Sequence, residues 1–231
     1  MSEKDGLRTY RGKRHFDRTS EPSGEPATRN EARADAKTDA GADAADEPTF
    51  VVQIHDASTM HFDFRLEVDG VLKSWSVPKG PSTDPNDKRL AIPTEDHPLE
   101  YRDFEGVIPA GEYGGGTVIV WDRGTYRPTS HDKRHRPVPF GEALEKGHAT
   151  FDLHGEKLRG QYALTRFHGR EEKNGGSAAK PTWLLVRTGH RSGGGTPDPR
   201  RARSARSGRT LRQVAETPDA PTWHSDSGEQ A

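Results

Sequence analysis

Between Gln53 and Leu66 the chain reads Gln-Ile-His-Asp-Ala-Ser-Thr-Met-His-Phe-Asp-Phe-Arg-Leu. His55, His61, Asp63 and Arg65 fall on odd positions, and Phe62, Phe64 and Leu66 fall on even ones. Successive side chains of a β-strand point to opposite faces, so His61, Asp63 and Arg65 share one face and the apolar residues the other. A divalent metal needs imidazoles and a carboxylate converging from one side. An anionic ligand is well served by a guanidinium next to them. If Asp56-Ala57-Ser58-Thr59 reverses the chain, His55 meets His61 and Asp63 around one ion, with Gln53 on the same face. The plainer reading is a half-exposed hairpin whose polar side faces water, since alternating polar faces are ordinary.

A second group lies in Arg89-Leu-Ala-Ile-Pro-Thr-Glu-Asp-His-Pro-Leu-Glu-Tyr101. It begins as a strand and ends in a Pro-bounded loop, offering Arg89, His97 and Tyr101 for acid–base work or phosphate contact. Taken singly, His97 reads as a turn residue and Tyr101 as core. Lys79, before Gly80-Pro81, reads as a surface lysine. Glu112-Tyr-Gly-Gly-Gly116 leads into Val118-Ile-Val-Trp121, not into a helix, so it is hairpin geometry and not a phosphate cradle.

The elements that must position these groups are short strands. Apolar or alternating runs occur at 50–55, 60–68, 71–77, 89–93, 117–122, 149–153, 161–167 and 182–187, separated by turn residues such as Asp69-Gly70. This predicts a mainly β domain, a compact antiparallel sandwich or barrel. Residues 140–147 suit a short helix ending at Gly147, and 129–139 reads as a basic, Pro-containing loop. Only 29% of the 231 residues are hydrophobic and 31% are charged, which is poor in apolar residues for a chain packed throughout. The expected organisation is a basic element at 1–26, an Ala/Asp-rich disordered linker at 27–47, a β domain at 48–188 and a disordered Arg-rich tail at 189–231. The net charge of −1 does not announce a nucleic-acid binder. With no Cys there are no disulfides or thiolate metal sites. No apolar run suits a signal peptide or membrane span, so a soluble, cytoplasmic protein is expected.

Read together, these segments resemble the 3′-phosphoesterase domain of bacterial DNA ligase D and its freestanding homologues. The matching text is Phe50-Val-Val-Gln-Ile-His-Asp-Ala57, His61-Phe-Asp-Phe-Arg-Leu-Glu67, Trp75-Ser-Val-Pro-Lys-Gly-Pro81, Glu95-Asp-His-Pro-Leu-Glu-Tyr101, Gly111-Glu-Tyr-Gly-Gly-Gly116, Trp121-Asp122 and Trp183-Leu-Leu-Val186. The resemblance covers roughly residues 8–188. It implies a β-barrel with one or two short flanking helices, a polar cavity and a divalent metal, Mn²⁺, held by His55, His61 and Asp63. It implies that Arg65, Arg89, Lys79, His97 and Tyr101 surround the scissile phosphate, with Gln53 in the same pocket. It makes 1–26 the lead-in that brings Arg14 and Glu21 to the site. Where the family has Arg-Asp-Phe, this chain has Arg14-His15-Phe16, so the acidic role has passed to His15 or Asp17 or is dispensable.

The implied activity is removal of 3′-terminal ribonucleosides and 3′-phosphates from DNA or primer ends in end-joining repair, alongside a separate ligase, polymerase or end-binding protein. His97 is the candidate general acid, with a phosphate-contacting imidazolium as the competing role. Two other classes fit parts of the pattern: a non-catalytic DNA-end-binding module, and a 2-His-1-carboxylate iron oxygenase.

Overall fold

The computed structural model describes residues 6–24, 47–167, 181–189 and 198–217. Nine strands follow in chain order: β1 (Thr49–Asp56), β2 (Met60–Val68), β3 (Val71–Val77), β4 (Lys88–Pro93), β5 (Gly106–Ile108), β6 (Gly116–Pro128), β7 (His148–Gly155), β8 (Arg159–Phe167) and β9 (Thr182–Arg187). All pairings are antiparallel, in the order β1-β2-β3-β4-β9-β8-β7-β6, and a β6–β1 pairing closes eight strands into a barrel. Strand β5 hangs on β6 outside that ring. The eight runs read from the sequence correspond to the eight barrel strands. Three-residue β5 escaped notice because it is too short to show a period.

Local chemistry sets the register. The β2–β3 turn is Asp69-Gly70, both with positive φ (51° and 82°), the type I′ geometry that matches strand twist. It pairs Arg65 with Ser74 and Asp63 with Ser76. Across β1–β2, His55 faces His61 and Gln53 faces Asp63. Helix α2 (Phe140–Lys146) stops at left-handed Gly147, as its sequence suggests.

Alternation divides the wall into two faces. Phe50, Val52, Ile54, Phe62, Phe64 and Leu66 point inward and join Trp75, Val77, Phe151, Leu153, Tyr162, Leu164 and Leu185 in one buried cluster. An eight-stranded barrel is just wide enough for its side chains to fill it. This corrects the expected polar cavity: the lumen is the apolar core, and the odd-numbered residues of β1 and β2 face outward. A second cluster covers that outer face. Tyr10, Leu72, Tyr101, Phe104, Ile108 and Val118 are buried there, with Phe16 and Leu99 against them. Its cover is the segment 6–24, containing α1 (Arg8–Arg11), and a 3-10 turn (Leu99–Asp103).

A further difference concerns the region read as a disordered tail. Residues 198–217 fold onto the barrel. The Ala205 N–H donates to the Val120 carbonyl at 2.8 Å, and Ser207 Oγ donates to Glu105. Thr210 and Gln213 form a capping box on α3 (Leu211–Ala215). Ala202, Leu211 and Val214 are buried in the main core. Three apolar residues spaced through an Arg-rich stretch are too few to signal burial by composition. Among the described residues three short α-helices flank the barrel. The expected linker at 27–47, apart from Glu47, lies outside the described residues, as do 190–197 and 218–231 of the expected tail. Among the described residues no helix is long and apolar enough to cross a membrane.

Candidate active site

Three lone-pair donors converge on the outer wall. His55 comes from the end of β1, and His61 and Asp63 come from the start of β2. Their ligating atoms all lie within 4.8 Å of one another. His55 Nδ1 is 3.7 Å from Asp63 Oδ2, and His61 Nε2 is 3.6 Å from Asp63 Oδ1. Atoms bound to one ion at about 2.1 Å sit roughly 3 to 4 Å apart. The far side of each ring is already engaged. His55 Nε2 lies 2.7 Å from the Gly114 carbonyl oxygen, and His61 Nδ1 lies 2.8 Å from that of Thr59. A carbonyl only accepts, so those nitrogens carry the protons, and the nitrogens facing Asp63 offer lone pairs. Gly114, at φ +77°, makes its contact from a conformation that favours glycine.

Asp63 is held as the anion. Burial alone would raise its pKa, but the Arg65 guanidinium 3.0 Å away reverses this and keeps it well below the usual carboxylate range. Two imidazoles and one carboxylate with preset tautomers therefore fit a divalent cation.

Behind the three lies a buried polar network. Arg65 donates from Nε to Gln53 Oε1 (2.8 Å), from Nη1 to Ser74 Oγ (2.9 Å) and from Nη2 to Asp63 Oδ2 (3.0 Å). The Gln53 amide donates to the Tyr101 and Phe104 carbonyls, tying β1 to the 3-10 turn. His97 Nδ1 lies 2.9 Å from Arg65 Nη1 and 2.8 Å from the Glu95 carbonyl oxygen, while Nε2 faces Arg14 Nη2 at 3.4 Å. Burial, then the charges of Arg65 and Arg14, push its pKa well below the ordinary imidazole value, so the ring is neutral. Tyr101 donates its hydroxyl to Glu21 Oε1 at 3.0 Å. Burial, with the Glu21 charge beside it, raises the Tyr101 pKa and keeps it a donor.

The N-terminal segment contributes Arg14, which stacks 3.9 Å over the Tyr10 ring and pairs with Glu21 (2.8 Å) and Glu95 (3.1 Å). Arg14, Glu21, Gln53, His55, His61, Asp63, Arg65, His97 and Tyr101 thus meet on one outward face of the wall. Lys79 and Arg89 stand apart. Lys79 is exposed in the turn after β3, two residues past Val77, which pairs with Phe62. Arg89 lies opposite core residue Leu185 on the inward register of β4, and its Nη2 pairs with Asp87 at 2.7 Å. Its buried Nε has no hydrogen-bond partner among the described residues. His15 points out, its side chain 68% exposed, to meet Glu112 at 3.0 Å, and Asp17 is exposed beside Arg18. Neither enters the buried network.

Three members of the network were not singled out from the sequence. Ser74 was legible in principle, because the Asp69-Gly70 turn dictates its place opposite Arg65. Glu95 was quoted only as part of a motif. Tyr10, whose hydroxyl donates to the Pro22 carbonyl at 2.6 Å, had no signal.

Comparison with known proteins fits this arrangement. Residues 53–166, the stretch that carries His55, His61, Asp63, Arg65, His97 and Tyr101, match the DNA Ligase D 3′-phosphoesterase domain. The barrel belongs to that family. The chain is 45% identical over 181 residues to the multifunctional non-homologous end joining protein LigD of Pseudomonas aeruginosa, covering 78% of this chain and 18% of that protein. It is 51% identical over 124 residues to the Mycobacterium tuberculosis LigD, covering 54% of this chain and 15% of the relative. A Mycolicibacterium smegmatis LigD is 39% identical over 167 residues, 72% of this chain and 20% of the relative. The chain therefore spans a fifth or less of the length of these relatives.

Proposed function

We propose that this chain is a metal-dependent phosphoesterase that trims the 3′ ends of DNA or primer strands, releasing 3′-terminal ribonucleosides and 3′-phosphates. The observation that carries the reading is the convergence of His55 Nδ1, His61 Nε2 and the Asp63 carboxylate, each ring's other nitrogen being held by a carbonyl. A single cation between them would satisfy all three acceptors at once. Family membership supports the phosphoester class, and the relatives' role in end joining supports repair as the setting. The partners proposed are 3′ ends of DNA or RNA/DNA, with a ligase, polymerase or end-binding protein acting on the product.

His55, His61 and Asp63 would hold a divalent cation, which would supply positive charge to a phosphate oxygen and make water more acidic. Manganese is the proposed ion; the donor set also serves zinc and iron, so this choice rests on the family resemblance. The chain's own groups do the rest. Arg65 holds Asp63 anionic and correctly turned. Arg65 and Arg14 place two guanidiniums behind the ligands, where a phosphate exchanges internal partners for its own oxygens. His97, neutral in the free protein, gains a proton when an anionic substrate offsets those two charges, and then serves as proton donor to the leaving oxygen. Tyr101 keeps its proton and orients Glu21 or the terminal sugar. Lys79, exposed in the turn after β3, is a reserve for more distal phosphate contacts, whereas Arg89 faces away from the cluster. The concentration of guanidiniums favours phosphate over the oxidisable substrate an iron oxygenase requires.

The test is a primer–template duplex ending in one ribonucleotide or a 3′-phosphate, incubated with Mn²⁺ or with chelator and resolved on a gel. The reading predicts shortened or dephosphorylated ends only with metal. An end-binding module predicts retarded complexes and unchanged ends.

A further inference from the structure

The folded segment 198–217 has a face that its anchoring does not use. Ala202, Ser204, Leu211 and Val214 turn inward and are buried. Glu105 holds the loop between them through Ser207 and, at 3.5 Å, Arg209. Lys157 Nζ donates to the Arg203 carbonyl at 3.0 Å. With the backbone pinned from inside, Arg200, Arg201, Arg206 and Arg212 are turned outward and exposed. The segment carries six Arg (200, 201, 203, 206, 209, 212) against Asp198 and Glu216. Arg201 and Arg212 face those two acids only loosely, at 3.9 and 3.8 Å, with side chains 89% and 83% exposed. Surface pairs of this kind are weak and readily exchanged. The chain as a whole is nearly neutral, so this is a local concentration of positive charge.

Its position matters as much as its charge. The segment attaches at Val120 of β6. Two residues back on the same strand, Val118 lies opposite His55. At a rise of about 3.3 Å per residue, roughly 7 Å of rigid strand separates the two points.

We infer that the 198–217 clasp is a phosphate-backbone docking surface for the nucleic-acid duplex behind the 3′ end, with Arg200, Arg201, Arg206 and Arg212 as its contacts. The inference rests on the proposed 3′-end activity for its orientation. A strand whose terminal phosphate enters the His55–His61–Asp63 cluster is a polyanion that continues across the neighbouring surface. Guanidiniums are the cations best suited to its phosphates. The contact is independent of base sequence.

The test compares the full chain with R200Q/R201Q/R206Q/R212Q, and with R206E as a lighter change. Binding of a fluorescent blunt duplex with a 3′-hydroxyl is measured in chelator at several salt concentrations. Each lost phosphate contact lowers the slope of log K against log salt by about 0.9, so the quadruple variant is expected to lose a slope of roughly 2 or more. R206E is expected to bind several-fold more weakly at low salt. On a long duplex with a 3′-phosphate the quadruple variant should show KM raised about tenfold with kcat unchanged, and a single nucleoside 3′-phosphate should react as before. An unchanged salt slope, or an equal loss of kcat on long and minimal substrates, overturns the inference. The binding measurement needs no turnover. Failure of wild-type protein to process 3′ ends would therefore sink the activity while the slope still reports on the clasp.

Discussion

His55 and His61 stand opposite each other across the β1–β2 ladder, their rings 5.0 Å apart, and each gives its outer N–H to a main-chain carbonyl. Both rings thereby point a bare nitrogen at the same carboxylate. The fold spends a hairpin and a Gly-rich turn on fixing two tautomers, an expenditure that serves ion binding and does little for packing.

The first prediction concerns those ligands. His61→Ala and Asp63→Ala should each lower metal-dependent 3′-end activity at least about 10³-fold, since they remove charge stabilisation worth several kcal/mol. Calorimetric titration with Mn²⁺ should show the tight site gone from both. Either variant with near-normal turnover would refute the ligand assignment.

The second concerns the outer partner of His55. Gly114→Ala forces an L side chain into φ +77° while meeting the ring only at 3.6 Å. The cost is thus backbone strain, about 1 kcal/mol or somewhat more. The displaced carbonyl should weaken metal affinity about 10- to 100-fold. Paired urea and metal titrations check both numbers.

A third addresses Gln53, which is fully buried and holds Arg65 Nε and two carbonyls. Gln53→Leu keeps the volume but strands the Arg65 Nε–H and the Phe104 carbonyl at about 1 to 3 kcal/mol each, while the Tyr101 carbonyl keeps the Phe104 N–H. A loss of at least about 2 kcal/mol in urea unfolding is expected, together with reduced activity because Arg65 loses its aim. Unchanged stability would mean that the Gln53 network carries no weight.

Much of this was legible in the chain, and the reasons are specific. The alternation at 50–55 and 61–66 gives both the hairpin and the shared face of Gln53, His55, His61, Asp63 and Arg65, because a strand's period is two and nothing else satisfies both sets. Alternation cannot say which side of a closed sheet is the lumen. That depends on how many apolar residues the other strands supply, and they fill it. Arg89 shows the same limit. Its type suited a phosphate site, but parity on β4 turns it to the opposite face from Arg65. The clasp was hidden because its anchors are three small or medium apolar residues in a basic stretch. Tyr10 and Glu95 act through contacts more than eighty residues apart in sequence, beyond the reach of any local pattern.

The fourth prediction is a pH dependence. His97 has a folded pKa well below its ordinary 6.5. Between those two values the unfolded chain binds a proton that the folded chain refuses. Stability from this ring is therefore complete above about pH 6.5 and falls on acidification, by up to about 1.4 kcal/mol per pH unit. Asp63 acts in the same direction but lower, its contribution being lost as pH falls below its ordinary 3.8. Urea unfolding between pH 7 and 5 should show the slope in wild type and a flatter one in His97→Asn. Equal slopes would remove His97 as its source.

A fifth concerns the clasp as structure. Ending the chain at residue 197 exposes the core sites filled by Leu211 and Val214, each worth about 1.5 to 3 kcal/mol. The truncated protein should unfold at markedly lower urea, in contrast to R200Q/R201Q/R206Q/R212Q, whose midpoint should match wild type.

The most direct test of the central claim is anomalous diffraction from crystals grown with Mn²⁺. One strong peak is expected within about 2.0 to 2.3 Å of His55 Nδ1, His61 Nε2 and an Asp63 oxygen, the range of metal bonds to such ligands. No peak there, or an ion held by other residues while these three stay apart, would contradict it.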